Sequence, residues 1–314
     1  MFFTKNLYLK RRIRNHYFRR RNQAGRQLRF YFLLLVITAF IVGMTLNRIE
    51  LNIVVKQVKA EGIDYDSFRE MLIPVKMIKD MKNKMDKESE YTEIKKTKKL
   101  QNYDTADYIT LSMLLNKYDL NNMRTIGKKN RNFLINNLSD TKSFIELKSY
   151  YKAILGDIKC FPVGPNSGGE LNIDFIDTWN AYRSYGGNRR HEGTDIMSKE
   201  NKRGVYPVIS MTDGTVEKMG WLEQGGYRIG IRGTYGAYYY YAHLESYAPG
   251  LKIGDSVKAG DFLGYMGDSG YGKEGTVGKF DVHLHVGIYV ETDFGELSVN
   301  PYCILCYLKE VNGI

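Results

Sequence analysis

Between Arg29 and Arg48 lie eighteen residues, Phe30 to Asn47 (FYFLLLVITAFIVGMTLN), uncharged and mostly apolar. A run of this length is just long enough to cross the hydrocarbon core of a bilayer as a helix. The ten lysines and arginines of residues 1–29, with no acidic residue among them, precede it directly. A secretory signal peptide normally has a shorter charged region and a small-residue cleavage site, and no convincing site follows this run. An uncleaved anchor is therefore preferred, and the positive-inside rule places residues 1–29 in the cytoplasm and everything from Arg48 outside.

The net charge of +11 has its source in that same segment. Without those ten residues the remainder holds 36 basic against 35 acidic residues, close to neutrality. A basic cluster abutting a membrane span fixes topology or touches anionic lipid, so the cytoplasmic membrane is the expected partner and nucleic acid is not. At 314 residues the chain has room for one compact domain with additional segments, or for two domains.

From Arg48 to Gly156 the sequence is charge-rich, with one proline (Pro74) and apolar residues at helical spacing. It predicts an extracytoplasmic helical stalk over 48–156, a surface open to a protein partner. One helix starts near Asp104 and Thr105 and carries Ile109, Met113 and Leu114 toward Tyr118; another follows Ser139 and Asp140 with Phe144, Leu147, Tyr151 and Ile154 on one stripe. The lysine-rich stretch from Met77 to Leu100 reads as solvated or poorly ordered.

Glycine becomes frequent from Cys160 onward, and short runs with period-two alternation replace the helical pattern, as in Gly214 to Lys218, Tyr227 to Arg232, Tyr238 to His243, Asp261 to Met266 and Val282 to Val290. These predict an antiparallel sheet domain. Three cysteines, Cys160, Cys303 and Cys306, make neither a disulfide framework nor a four-thiolate site. Free thiols are expected, with a bridge from Cys160 to the C-terminal pair left open if the ends of the domain meet.

Of five histidines, only His16 lies outside this β-rich region. The others fall in three patches: His191 in HEGTD, His243 in YYYYAHL, and His283 with His285 in HLH. On an extended strand, His191 and Asp195 share a face, with Gly193 between them leaving space for an ion. His283 and His285 likewise share a face toward a cleft. Two histidines and a carboxylate suit Zn²⁺, and three protein ligands leave a fourth position for water, as in a catalytic site.

The motifs H-x-G-x-D, Y-A-H-L and H-L-H, in this order over some 95 residues, resemble the lysostaphin and LytM-type peptidoglycan metalloendopeptidases. Leu251 to Met266 is similar to the turn-and-strand stretch that this family carries between its second and third motifs. The resemblance covers roughly residues 160–310. It implies a zinc metalloendopeptidase domain over 157–314, mainly β with a groove across a small antiparallel sheet, binding one Zn²⁺. It implies His191, Asp195 and His285 as metal ligands. His283 and His243 are the implied catalytic pair, the first as general base and the second as donor to the tetrahedral intermediate. The implied substrate is the peptide of peptidoglycan, in stem or cross-bridge.

The chain departs from the family's short glycine turn and proline before H-L-H, having Gly270 to Val282 instead, with Val282 in place of the proline. This insertion is expected on the rim of the groove, where it bears on substrate preference. Alternation along Tyr238 to Tyr241 places Tyr239 and Tyr241 on the face of His243, either lining the groove or packing the sheet. Beside the wall endopeptidase stand two other readings: a scaffold or wall-binding protein of the same fold, and a peptidase of protein substrates. All five motif positions are present, which favours the enzyme.

Overall fold

The computed structural model describes residues 2–94, 104–123 and 126–314. They form two compact units, Met1–Lys56 and Gln57–Ile314, joined through one continuous helix, α1 (Phe2–Glu61). In the first unit the large apolar side chains between Leu28 and Leu46 are exposed, and α1 is long and apolar enough to cross a membrane. The hydroxyls of Thr38 and Thr45 donate to the carbonyls of Leu34 and Ile41, so these polar groups are satisfied within the helix.

In the second unit a helical layer precedes the sheet: α2 (Tyr65–Arg69), α3 (Val75–Ile94), α4 (Thr105–Leu115), α5 (Lys128–Leu138) and α6 (Lys142–Gly156). Helix α4 starts in a capping box in which the Asp104 side chain accepts from Asp107 N and Asp107 accepts from Asp104 N. Helix α6 is capped by Thr141, one residue beyond the expected Ser139–Asp140 start, and buries Phe144, Leu147, Tyr151 and Ile154.

The strands are β1 (Ile173–Asp174), β2 (Tyr182–Arg183), β3 (Arg189–Arg190), β4 (Thr194–Ser198), β5 (Pro207–Ile209), β6 (Gly214–Leu222), β7 (Gly226–Gly233), β8 (Tyr238–Tyr247), β9 (Ser256–Val257), β10 (Phe262–Met266), β11 (His283–Thr292) and β12 (Gly295–Val299), followed by α7 (Tyr302–Val311). Ten of them make an antiparallel sheet with β1, β4, β11, β8, β7, β6 and β9 side by side; β10 pairs with β5 and β8, and β12 with β11. Strands β2 and β3 form a separate hairpin. Strands β8 and β11 are buried at most positions. One face of their region meets the helical layer, and the other floors the groove.

The sheet domain is preceded by the expected apolar helix and helical segment, and from Gln57 onward helices and sheet belong to one compact unit. The Tyr239 hydroxyl meets the carbonyls of Ala153 (3.2 Å) and Ile154 (3.1 Å) at the end of α6, and Arg69 of α2 donates to the Ser298 carbonyl on β12 at 3.0 Å. Residue 156 marks a change of secondary structure, not a gap in packing.

The lysine-rich segment differs from expectation over its described part. Residues 75–94 are helical, with Ile78 and Met81 buried, and the buried Lys82 ammonium donates to the Gly156 carbonyl at 2.7 Å. The apolar residues are few, but they fall on one face, and the lysine satisfies a carbonyl at the end of α6. Residues 95–103, which include the rest of the expected disordered stretch, lie outside the described residues.

Phe161 N donates to Asn312 Oδ1 at 2.7 Å, so the ends of the β-region do meet, yet Cys160, Cys303 and Cys306 are all free thiols.

Candidate metal and catalytic centre

Antiparallel pairing of β4 with β11 sets Asp195 directly opposite His285, which places both side chains on one face of the sheet. His191 arrives from the end of the β2–β3 hairpin, where its backbone N–H donates to the Ala181 carbonyl at 2.9 Å. Three atoms then converge: His191 Nε2 and His285 Nδ1 each lie 3.0 Å from Asp195 Oδ1 and 2.9 Å from one another. These separations approach the edge of about 3.3 Å that tetrahedral ligands with bonds of about 2.0 Å span.

The donor chemistry fits a cation. His191 Nδ1–H donates to the Thr178 carbonyl at 2.9 Å, which leaves Nε2 as an acceptor aimed at two further acceptors. Burial would raise the Asp195 carboxyl, but its close approach to His191 and His285 outweighs it and holds the group well below the ordinary carboxylate range. Burial lowers His285, with the neighbouring Asp195 opposing. A neutral imidazole and an ionised carboxylate are the ligating forms.

Gly193 keeps the centre open in a different way from that expected. A Cβ there would lie 2.5 Å from His285 Cε1 and 2.5 Å from the Val286 carbonyl oxygen. The space above this glycine is occupied by the His285 ring and not reserved for an ion.

His243 and His283 flank the cluster with ring centroids 4.7 Å apart. Both donate from Nδ1 to a backbone carbonyl, Ser269 and Asp281 respectively, each at 2.7 Å, so both turn Nε2 away from these anchors. His283 Nε2 is 3.7 Å from Asp195 Oδ1. Burial, reinforced by the charges of His283 and His285, pushes His243 well below the ordinary imidazole range.

His243 itself adopts a left-handed backbone conformation, φ +64°. Strand β8 holds Ala242 and His243 against the single residue Arg228 of β7, between the pairs Tyr227↔Leu244 and Ile229↔Tyr241. This bulge reverses the alternation. Tyr239 and Tyr241 accordingly point into the core at 0 % exposure, Tyr241 accepting from Met211 N, while Tyr238 and Tyr240 join His243 along the groove.

The groove has a volume of about 910 Å³. The insertion after Gly270 contributes Tyr271 and Phe280 to its lining. Tyr271 stacks on Tyr185 at 4.1 Å and accepts from Arg189 at 3.0 Å, and Phe280 lies 4.6 Å from the His243 ring. On the other wall the Arg183 guanidinium bonds Asp195 Oδ2, fixing the second oxygen of the carboxylate. Neither Arg183 nor the anchoring carbonyls of Thr178, Ser269 and Asp281 belongs to a spacing pattern, so no sequence signal marked them.

The model of peptidase family M23 matches residues 189–301. The L-Ala–D-Glu endopeptidase of Bacillus subtilis (strain 168) is 44 % identical over 131 residues, which are 42 % of this chain and 39 % of that protein. Lysostaphin of Staphylococcus simulans is 37 % identical over 67 residues, 21 % of this chain and 13 % of that one. This chain thus spans well under half the length of these curated relatives. A solved structure from Ruminococcus gnavus ATCC 29149, a candidate glycyl-glycine endopeptidase lytM, superposes with a TM-score of 0.64 at 39 % identity, covering 82 % of this chain and 96 % of that one. Coverage on that scale exceeds the β-region and takes in the helical layer. With sequence and fold matching over nearly the whole of that structure, the chain belongs to peptidase family M23.

Proposed function

We propose that this chain is a membrane-tethered zinc endopeptidase that hydrolyses peptide bonds of bacterial peptidoglycan. The observation that carries the reading is the convergence of His191 Nε2, Asp195 Oδ1 and His285 Nδ1 on one point at the floor of a long groove. These three residues are the proposed ligands of one Zn²⁺. Held there, the ion would supply Lewis acidity for the scissile carbonyl and would lower the pKa of the attacking water toward about 7.

The protein's own groups do the rest. His283, with its Nδ1–H committed to Asp281, offers a lone pair at Nε2 beside the ligand cluster and takes the proton of the attacking water as general base. His243 is held in the same orientation by Ser269. Neutral in the resting groove, it steadies the water; the water's proton, passed on from the adjacent His283, makes it the donor to the developing oxyanion, and that proton then goes to the leaving amine. Tyr238, Tyr240, Tyr271 and Phe280 give the groove walls that fit an extended peptide.

Helix α1 supports the tether. By length and composition it can span a bilayer, and the ten cations of residues 1–29 favour a cytoplasmic N-terminus with Gln57–Ile314 outside, facing the wall. The Bacillus relative is named for an L-Ala–D-Glu bond and the relative ALE-1 of Staphylococcus capitis for a glycyl-glycine bond, so peptidoglycan peptide is the shared substrate class.

The test uses the full chain in detergent: elemental analysis for zinc, and clearing of purified cell wall by the wild type and His285→Ala. About one zinc per chain with clearing abolished by the substitution supports the enzyme. A zinc-free, inactive protein that still binds wall fragments replaces it with the scaffold reading, and cleavage of a protein while wall stays intact replaces the substrate.

A further inference from the structure

We propose that Arg228 forms a carboxylate-binding subsite in the groove, so that the bond cut adjoins a residue bearing a free carboxylate and not the uncharged links of a glycine bridge. The proposal rests on the endopeptidase reading for the position of the scissile bond.

Arg228 lies on β7 in the groove lining, and its Nη1 is buried without a hydrogen-bond partner. Among the described residues no carboxylate pairs with it. The acids of the groove are committed elsewhere: Glu192 to Arg69 at 2.7 Å, Glu296 to Lys218 at 3.1 Å and Arg232 at 3.3 Å, and Asp195 to the histidine cluster and Arg183. The other groove cations have acceptors, as Arg189 does in the Tyr185 carbonyl and the Tyr271 hydroxyl. A buried guanidinium donor left open is costly unless something completes it, and a planar carboxylate is its natural complement.

The neighbours suit such a guest. Tyr238 and Tyr240 stand near Arg228 and line the same groove. Burial keeps both phenols protonated, so they add hydroxyl donors and no competing anion. Position completes the case. Strand β8 lies between β7 and β11, so Arg228 sits two strands from His285, about 10 Å between backbones, with the Tyr240 ring between them and 5.9 Å from the His285 ring. A peptide crossing the strands with its scissile carbonyl at the ligand cluster brings the carboxylate of the adjoining residue within reach of the guanidinium.

The experiment compares two synthetic stem peptides that differ only at the glutamyl residue beside the scissile bond, one with a free carboxylate and one with a carboxamide, alongside pentaglycine. With the zinc-loaded full chain, kcat/KM for the acid should exceed that for the amide by about 30-fold or more. Arg228→Gln should bring the ratio to within about 3-fold, and Arg228→Lys should hold it between. In parallel, calorimetry with analogues N-methylated at the scissile bond reads the same preference without cleavage and with a folded-state check on each variant.

Equal cutting of acid and amide, equal loss of both in Arg228→Gln, or pentaglycine as the best substrate overturns the subsite. Binding that prefers the acid through Arg228 with no cleavage of peptide or wall leaves the subsite standing and removes the endopeptidase reading. Binding without preference removes the subsite.

Discussion

Asp195 divides its two oxygens between tasks. Oδ1 meets His191 and His285, while Oδ2 is held by Arg183. If the guanidinium's main effect is to orient the carboxylate, Arg183→Ala should weaken zinc about 10- to 100-fold in a competitive chelator titration. Unchanged or tighter zinc would mean that charge repulsion from Arg183 outweighs orientation. His243→Ala is expected to separate the two kinds of residue in the opposite way. It should keep stoichiometric zinc and lower kcat by about 100-fold or more, because its ring is anchored to Ser269 and contributes none of the three converging atoms. Loss of zinc from that variant would count against its placement outside the ligand set.

His283 and His285 were legible from their two-residue strand period on β11, and the register of β4 on β11 sets Asp195 opposite His285, but His191 lies before β4 begins and not on the extended strand expected to carry it with Asp195. The tyrosines were not legible, because one bulge at His243 reverses that period. A left-handed histidine has no sequence signature, and its effect passes to every residue on one side of it.

Helices α4 and α6 were legible for a similar reason. Their caps and apolar stripes are local, and each stripe is buried as its spacing requires. What the stripes pack against is not local, and it was not legible. The junction shows the consequence in Asp157, the C-cap of α6, which is 5 % exposed. Its carboxylate accepts from Tyr235 N at 2.6 Å, with Lys82, Lys159 and Asp213 as its charged neighbours. Burial pushes its pKa up from 3.8 to about 6, and a negative charge at a helix C-terminus is unfavourable as well.

With the folded value above the unfolded one, the folded state holds the extra proton between those limits. The favourable contribution is complete below about pH 4 and is lost as pH rises through about 6. The shift corresponds to a few kcal/mol at most, of the order of 2. Asp157→Asn keeps an acceptor for Tyr235 N and removes the titration. In urea unfolding at pH 4 to 7 the wild type should lose stability relative to the variant across that window. Parallel curves would show that Asp157 is solvated.

At the scale of the whole molecule, the basic segment and apolar helix belong to one unit and the groove to the other. The chemistry of the groove depends on the helical layer beneath it. Tyr239, immediately before groove-lining Tyr240 on β8, is at 0 % exposure and has its hydroxyl at the carbonyls of Ala153 and Ile154. Phe68 packs edge-on against Tyr151 at 5.4 Å, and Lys79 of α3 pairs with Glu310 of α7 at 2.6 Å. A chain beginning at residue 157 would uncover the back of β8 and β11 and leave the phenol of Tyr239 without those acceptors. Apolar surface opened on that scale favours aggregation over a monomeric fold. Residues 57–314 should therefore give a monomer with a single cooperative thermal transition, and residues 157–314 should be insoluble or melt at least about 10 °C lower. Size-exclusion chromatography and calorimetry on the two chains would decide. Equal stability would show that the helical layer only rests on the sheet, and the seam at residue 156 would then be a true domain boundary.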